Sequence, residues 1–142
     1  MVNENLKLTG ALTIALNDEV VHEVDNLVVT AGKNFVASRM KDTTKAAMTH
    51  MAVGTGTTGA ADATKTALVT ENDRNTLTST TVTANAIAYV CTWAAGDATA
   101  ALTEAGIFNA SSGGDMLCRT VFSVVNKASA DSMTITWTVT VS

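Results

Sequence analysis

The stretch Met133-Thr-Ile-Thr-Trp-Thr-Val-Thr-Val141 decides the fold. Met133, Ile135, Trp137, Val139 and Val141 alternate without a break with Thr134, Thr136, Thr138 and Thr140. A period of two sends the two sets to opposite faces of a strand, so one face is greasy and the other carries hydroxyls. Threonine, branched at Cβ, suits that pleated surface. Working outward, residues 86–93 repeat the pattern, with Ile87, Tyr89, Cys91 and Trp93 on one face. Leu12, Ile14 and Leu16 alternate in the same way with Thr13 and Ala15, and Asn17, Asp18 and Glu19 form a turn into the β-branched run 20–29.

Between these segments lie a short strand at 48–53 and a polar strand at 74–82, the latter joined through Thr83, Ala84 and Asn85 to 86–93 as a second hairpin. Strands at 103–109 and 116–125 flank Ala110-Ser-Ser-Gly-Gly-Asp115, whose paired glycines supply the positive φ a tight turn wants. Thr30 is a credible N-cap, and residues 31–41 read as the one short helix, with Phe35, Val36 and Met40 on a shared face. A weaker helical turn is expected around residues 67–71. The expectation is an all-β chain. About eight antiparallel strands, each with one apolar face, must stack or close, and connections of unequal length favour an antiparallel β-sandwich of jelly-roll type.

A chain of 142 residues is a single domain, here 1–142 with a polar N-terminal arm at 1–5. Hydrophobic residues at 46% and charged residues at 15% exclude a disordered chain. No apolar run reaches the roughly 18 residues of a membrane span, and the opening MVNENLKL has no secretory pattern, so no membrane partner and synthesis in a cytoplasm are expected. A net charge of -4 with nine scattered basic residues argues against nucleic acid as a partner.

Few residues invite chemistry. The loop beginning Gly54-Thr-Gly-Thr-Thr-Gly59 lacks the Gly-Lys-Ser/Thr ending of a phosphate cradle and reads as a flexible connection or contact loop. His22 and His50 stand at no metal-ligand spacing, so no metal and no cofactor are expected. Cys91 and Cys118 read as buried free thiols, with one bridge left open. Glu104 can pair with Arg119 across strands, at most about 1 kcal/mol if exposed, and Glu71 with Arg74; both pairs read as structural. Trp93 and Trp137 read as core anchors rather than sugar platforms. With no gathered acid and base groups, no enzyme is expected and no catalytic residue is assigned.

Six segments together carry a resemblance: Asp25-Asn-Leu-Val-Val-Thr-Ala-Gly-Lys33, Met51-Ala-Val-Gly-Thr-Gly-Thr57, Thr66-Ala-Leu-Val-Thr-Glu-Asn-Asp-Arg74, Glu104-Ala-Gly-Ile-Phe-Asn-Ala110, Met116-Leu-Cys-Arg-Thr-Val-Phe122 and Asp131-Ser-Met-Thr-Ile-Thr-Trp137. Their order, over most of the chain, resembles small virion proteins of tailed bacteriophages. Similar segments occur in jelly-roll cement, or decoration, proteins of phage heads and in head-proximal domains of tail or collar fibres. The resemblance implies a structural capsid cement protein on the outer surface of the virion, made in a bacterial host cytoplasm. Its implied partners are the major capsid protein and further copies of itself, as a homo-oligomer (dimer or trimer). A fibre attachment domain is the alternative, and a carbohydrate-binding sandwich using Trp93 or Trp137 a more distant one. The contact residues expected on this reading are those least suited to a core: Met1, Val2, Asn3, Glu4 and Asn5 of the arm, then Gly54, Thr55, Gly56, Thr57, Thr58, Gly59 and Asp62, with the turn 111–115 as a further candidate.

Overall fold

The structure, a computed structural model, describes residues 4–41 and 45–142. Strands β1 (Leu8–Leu16), β2 (Glu19–Asp25) and β3 (Leu27–Val28) precede helix α1 (Thr30–Lys41). There follow β4 (His50–Gly54), β5 (Glu71–Thr76), β6 (Ser79–Thr83), β7 (Ala86–Trp93), β8 (Ala100–Phe108), β9 (Met116–Lys127) and β10 (Met133–Val141). They build two five-stranded antiparallel sheets, a front sheet in the order β2-β1-β10-β7-β6 and a back sheet in the order β3-β9-β8-β4-β5. The first strand lies beside the last, β3 beside β9 and β4 beside β8, which is the nested wrapping of a jelly roll.

The alternating strands do what their periodicity requires. Ile14, Ile135, Trp137, Cys91 and Trp93 point inward from the front sheet and have no solvent exposure. Met51, Val53, Leu102, Ile107 and Cys118 meet them from the back sheet in one continuous core. Trp137 Nε1 donates to Asn26 Oδ1 at 2.9 Å, so its polar edge is satisfied inside the sandwich. A second, smaller cluster of Val29, Ala52, Leu68, Phe108 and Met116 lies on the opposite side of the back sheet, beneath the long connection between β4 and β5.

Ten strands replace the expected eight or so because two runs each change sheets partway along. The run 20–29 breaks at Asn26, whose N–H donates to Gly10 O at 2.9 Å, and Leu27–Val28 then pairs with β9 of the other sheet. The run 74–82 breaks at Leu77, whose N–H donates to Thr49 O at 2.9 Å, leaving β5 in the back sheet and β6 in the front. Thr30 is the first helical residue rather than a cap, and its N–H donates to Ala63 O at 2.8 Å. Phe35 is buried as expected, but Met40 is 80% exposed: five residues on, it lies about 140° round the helix from Phe35 and does not share its face. No helical turn forms at 67–71; Leu68 plugs the second cluster and Glu71 begins β5.

Candidate functional site

Strand pairing brings four residues into one row across the back sheet: Arg74 of β5 opposite Ala52 of β4, Ala52 opposite Gly106 of β8, and Gly106 opposite Arg119 of β9. Two small residues in the middle leave room that Leu68, Phe108 and Met116 fill, and an arginine stands at each end. This is the face that carries the second apolar cluster, away from the core between the sheets. Each arginine reaches up and holds a loop by its carbonyls.

Arg119 is 2% exposed. Its Nη1 donates to Gly59 O and its Nη2 to Thr58 O, both at 2.9 Å, and Nη2 also meets Glu104 Oε2 at 2.9 Å. Glu104 is 0% exposed. Its Oε1 accepts from the backbone N–H of Thr70 at 2.7 Å and of Gly56 at 3.0 Å, and its Oε2 accepts from that of Val69 at 3.0 Å. One carboxylate therefore closes the loop from both ends. Burial favours the neutral acid, but these N–H donors and the guanidinium outweigh it and hold the carboxyl below its usual value. The expected pairing of Glu104 with Arg119 is present, and the pair is buried, so the small value that holds for an exposed pair does not apply to it.

The glycines of this loop have a packing reason. A Cβ on Gly54 would lie 2.3 Å from Thr70 O and 2.6 Å from Glu104 Oε1; one on Gly56 would lie 2.5 Å from Val69 Cβ and 2.7 Å from Glu104 Oε1. The carboxylate fits only because both side chains are missing. Gly54 and Gly56 are buried, so neither offers a contact surface, contrary to the expectation for the whole segment. Thr55, Thr57, Thr58 and Asp62 are exposed and Gly59 is half-buried. Asp62 Oδ1 accepts from Thr64 Oγ1 at 2.6 Å and from its N–H at 3.0 Å, a local turn that also lowers the Asp62 carboxyl pKa. The loop is thus shaped from beneath by hydrogen bonds to its backbone.

Arg74 does the same for the turn 111–115. It grips Glu71 at 2.7 and 3.1 Å, lies 3.8 Å over the Phe108 ring, and donates from Nη1 to Ala110 O at 3.0 Å and Gly113 O at 2.9 Å. Gly113 and Gly114 take φ of 59° and 74°, as the paired glycines required. Of the arm, Glu4 and Asn5 are exposed and lead into β1 of the front sheet, a different layer from the loop; Met1, Val2 and Asn3 lie outside the described residues.

The other residues singled out by their chemistry are dispersed. His22 faces the Phe122 ring at 6.2 Å, while His50 lies beside Thr49 Oγ1 at 2.7 Å and Thr76 Oγ1 at 3.3 Å. Cys91 and Cys118 are free and buried, and burial pushes the Cys91 thiol up to about 12. Trp93 and Trp137 have no exposure, which removes the platforms the carbohydrate-binding alternative needs. Among the described residues no three His, Cys, Asp or Glu side chains are grouped to hold a metal ion, and no helix is long and apolar enough to cross a membrane. The Glu104–Arg119 burial was not visible in the sequence; the signal available was the pair of glycines in Gly54-Thr-Gly, spaced to admit a side chain from beneath. Comparisons with protein-family models, curated proteins and solved structures found no match to this chain.

Proposed function

We propose that this chain is a structural protein of a tailed-bacteriophage particle, a cement protein that binds the outer surface of the shell formed by the major capsid protein. The observation that carries this reading is the pair of exposed loops locked by Arg119 and Arg74 over the back sheet. A loop already held in its bound shape loses little conformational entropy on docking, which is the requirement for a protein whose work is adhesion. The resemblance of the six segments to phage virion proteins supplies the setting. A net charge of -4 suits the outside of a shell, away from packaged nucleic acid. Many copies on a symmetric lattice multiply a modest contact into tight retention.

The test is a reconstruction of the particle that carries the chain, with occupancy measured for variants. Density for the sandwich on the outside of the head, lost when Thr57 and Thr58 are both changed to Arg, is the expected result. Density at the tail instead would establish the fibre reading, and absence of the chain from the particle would overturn both. Removing residues 1–5 tests the arm separately; unchanged occupancy would take it off the contact surface.

A further inference from the structure

The two sheets have four edge strands, and three are guarded. β2 carries Glu19, Glu23 and Asp25 and breaks register opposite Ile14 and Ala15. β5 carries Glu71, Asp73 and Arg74 and breaks register at Val53 and Gly54. β3 is two residues long and is followed by α1. Charge, irregularity and shortness are the devices that stop a sheet edge from pairing with a foreign strand. The fourth edge, β6, is uncharged and, at five residues, of modest length; its one irregularity lies just before it, where Thr78 N–H donates to Val90 O at 2.7 Å although Ser79 stands opposite Val90. Its sequence, Ser-Thr-Thr-Val-Thr, is uncharged and rich in strand formers, all five residues are exposed, and it pairs with β7 in unbroken register. Val82, on the side facing the other sheet, overhangs it and is 68% exposed.

The two-residue loop of Ala84 and Asn85 closes on the Thr83–Ala86 pair. The alternation of antiparallel bonding then turns the N–H and C=O of Thr80 and Val82 away from β7, toward the open edge. We infer that β6 is a self-association edge: β6 of a second copy adds to it antiparallel, about a two-fold axis through Thr81, and joins two five-stranded front sheets into one of ten. The occupant is a second copy because this strand complements itself. Thr80 falls opposite Val82 of the second copy and Val82 opposite Thr80, so the free backbone groups of each satisfy the other. Ser79, Thr81 and Thr83 face one another as hydroxyls that both donate and accept. No like charges are opposed, as they would be if β2 met β2. Such a two-fold contact closes on itself and yields a dimer. It holds wherever the protein resides, whether on a phage head or elsewhere.

Sedimentation of the purified chain at about 100 µM, where an interface at the small end of the size range persists, tests this. The wild type is expected to sediment as a dimer. Val82→Lys and Thr80→Lys, each placing ammonium groups near their symmetry mates, are expected to weaken it about tenfold or more with an unchanged circular-dichroism spectrum. Val20→Lys, at a 55% exposed position on the opposite edge, is expected to leave it intact. A monomeric or trimeric wild type overturns the inference, as does a dimer that survives both edge variants or is lost equally in Val20→Lys.

Discussion

A carboxylate without solvent keeps its charge only while other groups stand in for water, and Glu104 has four donors for that purpose. Its folded pKa lies below the usual 4.5. As pH falls the unfolded chain therefore takes up this proton first, so the contribution of the ion is complete above about 4.5 and disappears as pH drops through the lower folded value. Urea midpoints followed from about pH 7 to about pH 3 are expected to fall more steeply for wild type than for Glu104→Gln. At neutral pH the same variant is expected to lose about 3 kcal/mol in urea unfolding, because Arg119 is left buried beside a neutral partner. The thiols behave in the opposite sense. Burial raises Cys91 to about 12 and pushes Cys118 up as well, so a thiol-reactive dye is expected to label neither in the native protein and both after denaturation. The partnership of Glu104 and Arg119 was legible from neighbouring strands; its burial was not. The ladder is interrupted between Leu102 and Glu104, with Leu102 facing the core on one side of the break and Ala105 and Ile107 on the other. That shift turns Glu104 outward beneath a loop whose cover no local pattern records.

At the scale of elements, α1 rests on β9 through Gly32, where an added Cβ would lie 2.0 Å from the Leu117 carbonyl oxygen. Alanine there favours the helix by about 0.5–1 kcal/mol, while forcing the helix off backbone costs about 1–3 kcal/mol or more. The clash wins, and Gly32→Ala is expected to lower the thermal midpoint by about 5 °C in calorimetry. Strands with strict alternation were legible almost to the residue: the quoted 133–141 run is β10 as a whole, and 86–93 is β7 as a whole. The strand runs that were read too long are those where the chain changes sheets. At Asn26 and at Leu77 the composition stays strand-like, and only hydrogen bonds from residues far along the chain, Gly10 and Thr49, mark the crossing. Periodicity reports which face is apolar and is silent about which sheet a strand joins.

At the scale of the molecule, the connection 55–70 is part of the folded unit although it contains no regular structure. Lys65 lies within it, so limited trypsin digestion is expected to spare the wild type at that bond and to cut Glu104→Gln there well before global unfolding, read by mass spectrometry. The two-layer architecture was legible because both layers needed a partner for their apolar faces. The locked loop face was not, since it depends on Arg74, Ala52, Gly106 and Arg119 meeting in one row from four strands. The adjacency of first and last strands has a mechanical consequence. Lys7 and Ser142 exchange two backbone hydrogen bonds, at 2.7 and 2.9 Å, and β1 runs antiparallel to β10 from that point. Tension applied between those two residues would load the bonds one after another, as in opening a zipper, instead of shearing them together. The molecule is therefore soft as a link in series, because the bonds next to the pulled ends give way first.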